Sequence, residues 1–210
     1  TTGGVHEWTT NVKNYCHTIY GDDSPWNNVA PTIIDMPAGM AAEIRDEVES
    51  GIERGELEWT KRRHKNYPTR DISVTEEALP TTSKHAIDLL KSHIGPVFET
   101  KYEGVSAEEL TFQEAFVVRY GSERGGQNKL KKHVDGSPLS FVCALNDDFE
   151  GGGTRIGTET CTPKKGQCCL FAGGVQKHEG LPITSGERLI LTGFVNHGPT
   201  LAECERLVRL

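Results

Sequence analysis

Four segments in the second half of the chain, residues 111–120, 139–145, 167–171 and 188–195, constrain the fold more than any other feature. Each is rich in aromatic and β-branched residues and each is bounded by Gly, Pro, Asn or Asp, the pattern of short strands separated by turns. Before residue 110 the period is helical. Met40, Ile44, Val48 and Ile52 recur four apart among acids and arginines, which predicts a helix over residues 38–54 ending near Gly55. A second helix is expected after residues 81–83, which can cap it, running through Ile87, Leu90 and Ile94. Two helices followed by at least four strands predict a mainly β fold, a sandwich or barrel with helices packed on one face.

Charge and length narrow the function classes. A net charge of −7 argues against a protein that lives by holding nucleic acid phosphates. No apolar run approaches the roughly 18 residues of a bilayer span. The 210 residues show no repeat and no linker, so residues 1–210 read as one domain, with 1–110 as helical support and lead-in and 111–197 as the strand core. The chain starts at Thr1 without Met or a signal-like stretch, as a domain cut from something longer would.

In the lead-in, Trp8, Tyr15 and Trp26 are expected to pack onto the body. Residues 59–80, with Lys61, Arg62, Arg63, His64 and Lys65, read as a basic connection whose charges form a solvated face more readily than a binding patch. The six cysteines form no CxxC pair, which disfavours a zinc ribbon. For Cys143, Cys168 and Cys169, in strand-like runs, a buried free thiol is the commoner explanation, with disulfides left open. The compartment stays open too, endoplasmic reticulum or secretory pathway on one side and cytoplasm on the other.

The chemistry gathers near the strands. In His133-Val134-Asp135, residues two apart in an extended chain face one side, so an imidazole and a carboxylate are offered together. His178 stands 45 residues later, beside the last strand. Were the sheet to fold on itself, His133, Asp135 and His178 would form a facial triad leaving open positions on an octahedral metal, the arrangement of non-haem Fe(II) oxygenases. H-x-D alone is weak, and a lone His is more often structural. Arg188 opens an apolar strand, where its planar fork needs an anionic partner. That partner is either a structural Asp or Glu or a bound carboxylate.

Taken together, residues 116–197 resemble the Fe(II)- and 2-oxoglutarate-dependent dioxygenases of the prolyl and lysyl hydroxylase type. The motifs are FVVRYG, HVDG, FEGGGTRIG and PKKGQCCLFAGGVQKHEGLPITSGERLILTGFV, in the family's order and spacing. The resemblance implies a double-stranded β-helix of the jelly-roll, cupin-like kind. It implies that His133, Asp135 and His178 bind iron, and that Arg188 pairs with the distal carboxylate of 2-oxoglutarate. Tyr120 matches the tyrosine that helps hold the cosubstrate, while Thr154 and Phe194 match positions lining its pocket. O2 would be the second cosubstrate, with ascorbate as a reductant.

The implied reaction hydroxylates an unactivated C–H bond and releases succinate and CO2, with a prolyl or lysyl residue of a peptide or protein as the leading substrate. A free amino acid or other small molecule is the alternative, and an inactive metal-binding interaction module a second one. Collagen and plant cell-wall prolyl 4-hydroxylases usually carry lysine where this chain has Arg188, whereas lysyl hydroxylases and oxygen-sensing prolyl hydroxylases carry arginine. Residues 121–132, with Gly121, Gly125 and Gly126, read either as a lid over the site or as a disordered surface loop. Lys61 to Lys65 and Lys129 to Lys132 could make the mouth locally positive, favouring an anionic cosubstrate and an acidic peptide.

Overall fold

The computed structural model describes residue 16 and residues 18–61, 69–123 and 127–198. Among these, eleven strands form two antiparallel sheets. The major sheet runs β1 (Thr32–Asp35), β9 (Gln167–Phe171), β5 (Leu139–Ala144), β11 (Ile183–Asn196), β3 (Thr111–Gly121), β2 (Arg70–Ser73), with β6 (Phe149–Gly151) added onto β11. The minor sheet runs β4 (Leu130–His133), β10 (His178–Gly180), β7 (Thr154–Ile156), β8 (Glu159–Cys161). The helices are α1 (Met40–Glu53), α2 (Pro80–Asp88) and α3 (Gly95–Lys101), with a π-helical segment, Leu89–Ile94, between the last two.

Two apolar cores explain why the long strands carry uninterrupted hydrophobic runs. One face of the major sheet packs on the helices, bringing Val117, Phe141, Cys143, Leu170 and Leu191 against Ile44, Val48, Leu89, Ile94 and Phe98. The other face packs toward the minor sheet, with Phe116, Val118, Val142, Cys169, Phe171 and Ile190 beside Ile156 and Cys161. Alternate residues of one strand therefore serve different cores, and β5 is buried along its whole length. Phe194 closes edge-to-face on Phe116 at 5.3 Å, within the second layer.

Several expectations change. The second helix begins at Pro80, not after residues 81–83, and its cap comes from α1. The Glu47 carboxylate accepts from the Thr81 and Thr82 amides at 2.8 and 2.7 Å and from the Thr82 hydroxyl at 2.6 Å. Proline suits that first helical position because it has no N–H to satisfy. Ile87, assigned to the apolar stripe, is 47% exposed, because the π segment shifts the buried face to Thr82, Ala86, Leu89, Leu90 and Ile94. Residues 59–80 are not wholly a connection: β2 pairs there with β3.

The described cysteines are not free thiols. Cys143 and Cys168 sit opposite one another on β5 and β9 and are disulfide-bonded, Cys161 on β8 is bonded to Cys169, and Cys16 is also in a disulfide. Trp26 packs as expected, buried and edge-to-face on Tyr102 at 5.1 Å. Trp8, Tyr15, Arg62 to Lys65, Gly125 and Gly126 lie outside the described residues. Among the described residues no helix is long and apolar enough to cross a membrane.

Candidate active site

The opening between the two sheets holds a pocket of about 800 Å³, counted out into the open solvent at its mouth. His133 is the last residue of β4, and His178, the first of β10, is its direct cross-strand partner. Between the Leu130–Gly180 and His133–His178 pairs, β4 has one residue more than β10. This bulge lets both Leu130 and His133 face the pocket while Lys131 and Lys132 stay exposed, a known use of bulges beside active sites. Asp135 follows, its amide held by the Gly173 carbonyl at 2.8 Å.

The three side chains converge. The Asp135 oxygens lie 3.3 Å from His133 Nε2 and 3.4 Å from His178 Nε2, and the candidate ligand atoms all fall within 4.8 Å of one another. Each imidazole is oriented through its other nitrogen. His133 Nδ1 donates to the Lys131 carbonyl at 2.8 Å and His178 Nδ1 to the Gln176 carbonyl at 2.9 Å, which turns each Nε2 toward Asp135, to which it donates while protonated, and leaves it as the atom that would ligate a metal once deprotonated. Burial alone would raise the Asp135 pKa, but the charge of His178 and hydrogen bonds from both imidazoles hold it well below the carboxylate range. Burial depresses His178, and the Asp135 carboxylate more than restores it, to above its ordinary value. Two neutral-capable imidazoles and one ionised carboxylate on one side of an open pocket make a donor set that fits a divalent transition metal with vacant positions.

Arg188 lines the same pocket on β11, opposite Tyr120 of β3. It is 3% exposed, and among the described residues it has no carboxylate partner. Its Nη1 donates to the Gly153 carbonyl at 3.3 Å, and its guanidinium carbon sits 5.9 Å from the centre of the Tyr120 ring. Burial lowers its pKa, and Tyr120 partly offsets this. Three successive glycines with positive φ, Gly151 to Gly153, bring that carbonyl into reach, and a Cβ on Gly152 would lie 2.6 Å from Ile183 Cδ1. Tyr120 is pushed up to about 12 by burial, so its hydroxyl is a protonated donor, and no partner holds it among the described residues. Thr154 on β7 and Phe194 on β11 also line the pocket.

All seven candidate residues thus come together. Four further pocket or supporting positions escaped the sequence: Thr69, Ser140, Gly173 and Thr192. Ser140 donates to Asp135 Oδ2 at 2.6 Å, and Thr192 donates to the Phe141 carbonyl at 2.8 Å. The period-2 rule applied to 139–145 would have put Ser140 on the inward face beside Val142, where a polar group needs a partner.

A double-stranded β-helix with a His-Asp-His cluster at its open end defines a class of metal-dependent oxygenase folds. Residues 115–196 match the model of the 2OG-Fe(II) oxygenase superfamily, and the fold is of the prolyl 4-hydroxylase type. Over 140 residues, 63% of this chain, it is 34% identical to the multifunctional procollagen lysine hydroxylase and glycosyltransferase LH3 of Homo sapiens. Over the same length it is 36% identical to procollagen-lysine,2-oxoglutarate 5-dioxygenase 1 of Mus musculus. The match spans 18% of each of these proteins.

Among solved structures, the collagen prolyl hydroxylase of Paramecium bursaria Chlorella virus-1 in complex with 2OG superposes with a TM-score of 0.56. It is 18% identical and covers 82% of this chain and 98% of that one. A prolyl-4-hydroxylase of Pseudomonas putida gives 0.57 at 19% identity, over 91% of this chain and 100% of that one.

Proposed function

We propose that this chain is an Fe(II)- and 2-oxoglutarate-dependent dioxygenase that hydroxylates a prolyl or lysyl residue of a peptide or protein. The observation that carries the reading is the pairing, in one pocket, of the His133–Asp135–His178 donor set with a buried arginine that has no carboxylate partner among the described residues. A metal ion suits the first, and a dicarboxylate reaching from metal to guanidinium suits the second.

His133, Asp135 and His178 would hold Fe(II), which supplies the coupling of O2 reduction to oxidative decarboxylation of 2-oxoglutarate and to C–H hydroxylation. Arg188 would take the distal carboxylate through its planar fork, offsetting the cost of burying a guanidinium. Tyr120, neutral at working pH, would donate a hydrogen bond to the cosubstrate from the strand position opposite Arg188. Thr154 and Phe194 close the sides of the cosubstrate space. Phe116, Val118, Val142, Phe171 and Ile190 exclude water from the reacting centre, which strengthens every polar contact inside it.

The peptide substrate is supported by the similarity to procollagen lysine hydroxylases and by the fold shared with a collagen prolyl hydroxylase, and arginine at position 188 weighs against the collagen and cell-wall prolyl 4-hydroxylases alone. The test is succinate formation from 2-oxoglutarate with Fe(II) and a panel of lysyl and prolyl peptides, read by product mass. A product heavier by one oxygen, dependent on both cosubstrate and peptide, is expected. Turnover of free amino acids but of no peptide would refute the substrate class, and His133→Ala turning over normally would refute the site.

A further inference from the structure

We propose that Ser140 and Gly173 form the seat of the Asp135 carboxylate, and that the seat commits one of its two oxygens so that the other is the one offered to a metal. The proposal rests on the reading of His133, Asp135 and His178 as a metal centre.

Ser140 lies on β5, on the face turned toward the minor sheet, and is 1% exposed. Its hydroxyl donates to Asp135 Oδ2 at 2.6 Å, the short distance of a charge-assisted bond. Gly173 bounds the other side. A Cβ added there would lie 2.0 Å from Ser140 Oγ and 2.4 Å from Asp135 Oδ2, distances no real side chain tolerates. Gly173 also accepts the Asp135 amide at 2.8 Å, so backbone and carboxylate of one residue are fixed by the same short segment. Its φ is not in the left-handed region, so the need for glycine here is space for Oδ2 and its donor, not backbone freedom.

The consequence is chemical. A carboxylate free to turn can chelate a metal with both oxygens and use two coordination positions. Each oxygen faces one imidazole, Oδ1 at 3.3 Å from His133 Nε2 and Oδ2 at 3.4 Å from His178 Nε2, but only Oδ2 is also held by a hydroxyl and confined by backbone, so Oδ1 is the one left to present. Three protein atoms would then hold the ion, leaving room beside it for a chelating cosubstrate and O2. Ser140 is thus a positioning residue, acting through Asp135 and outside contact with any reactant.

The test is metal binding by the metal-free protein without 2-oxoglutarate, using Mn(II) in titration calorimetry on wild type, Ser140→Ala and Ser140→Cys. Outer residues that orient a ligand typically change affinity 10–100-fold. Ser140→Ala is expected to weaken Mn(II) by roughly tenfold or more, and Ser140→Cys, similar in shape with a weak donor, to fall between it and wild type. A role in packing alone reverses that order, because alanine fits and the larger sulfur does not. Ser140→Ala binding within twofold of wild type overturns the proposal.

Infrared difference spectra of wild type with and without Mn(II) keep the test independent of variant folding. The carboxylate stretches are expected to shift to the widely split monodentate pattern, and a bidentate pattern overturns the proposal. Failure of wild type to bind Mn(II) at all would instead overturn the metal-centre reading itself.

Discussion

Arg188→Met separates cosubstrate binding from stability, because the two should move in opposite directions. In wild type the guanidinium is 3% exposed, with one 3.3 Å bond to a carbonyl and a ring at 5.9 Å as its compensation. An uncompensated buried charge costs several kcal/mol, and replacing buried ionic groups by apolar ones of similar shape often stabilises by about 1–4 kcal/mol. The Gly153 carbonyl loses its donor, so a net gain of about 1 kcal/mol is expected without cosubstrate, or about 2–4 °C in melting temperature.

Binding should go the other way. A forked contact to a carboxylate comprises two charge-assisted hydrogen bonds of about 1.5–3 kcal/mol each. Losing about 3 kcal/mol in total weakens 2-oxoglutarate by roughly a hundredfold. Melting curves of the Mn(II)-loaded proteins across a 2-oxoglutarate series report both numbers. Wild type at 100 times its Kd should gain about 2.7 kcal/mol of stability, and the variant almost none at that concentration. A variant that melts lower than wild type without cosubstrate, or keeps the wild-type ligand shift, refutes the assignment of Arg188 as an anion site held open by the fold.

His133→Ala and His178→Ala should each lose metal by more than the roughly hundredfold typical of outer residues, and full metal content after dialysis against a weak chelator would contradict this. Because Asp135 raises the pKa of His178, protons compete with the metal there, and Mn(II) affinity should fall as pH drops through that raised value. Glu47→Ala removes the acceptor of two amides and a hydroxyl at the start of α2, and should cost about 1–2 kcal/mol in urea unfolding. Burial would raise the Glu47 pKa, yet the Thr82 and Thr81 hydrogen bonds lower it overall. Its contribution is therefore present above its unfolded value, 4.5, and lost as pH falls through the folded one, a slope absent from the variant. Peptide mapping without reductant should recover Cys143–Cys168 and Cys161–Cys169. Their separations of 25 and 8 residues predict losses of about 3.5 and about 2.5 kcal/mol on removal by paired serine substitution, and mapping that finds other pairs refutes the cysteine arrangement.

The strands legible in the sequence were those buried on both faces. β3, β5, β9 and β11 read clearly because two cores demand apolar residues at successive positions along at least their middle stretches. β1, β2 and the minor-sheet strands are three or four residues long and partly exposed, so their pairing depends on neighbours far along the chain. The helical stripe failed at Ile87 because a π segment breaks the 3.6-residue period that the stripe assumes. The metal-ligand candidates were legible as residue types. What brings them together was not: the β4 bulge, the carbonyls under each imidazole and the Ser140 donor are consequences of register. The cysteines misled for a related reason, since strand propensity says nothing about which strand lies beside which.

Cys168 and Cys169 show how register divides the labour of the major sheet. Neighbours along a strand point to opposite faces, so two adjacent half-cystines cannot share a side. Cys168 joins Cys143 on the helix-packed face, linking β9 to β5, strands already hydrogen-bonded to each other. Cys169 joins Cys161 on the face toward the minor sheet, linking β9 to β8 in a different sheet. From β8 the hydrogen-bonded ladder runs to β7, which carries Thr154, and on to β10, which carries His178. On β5 the same alternation puts Phe141 and Cys143 toward the helices and Ser140 and Val142 toward the site. Substitutions at the first kind of position should act on global stability, and those at the second on metal and cosubstrate affinity. This alternation lets a strand only six residues long serve the core and the chemistry at once.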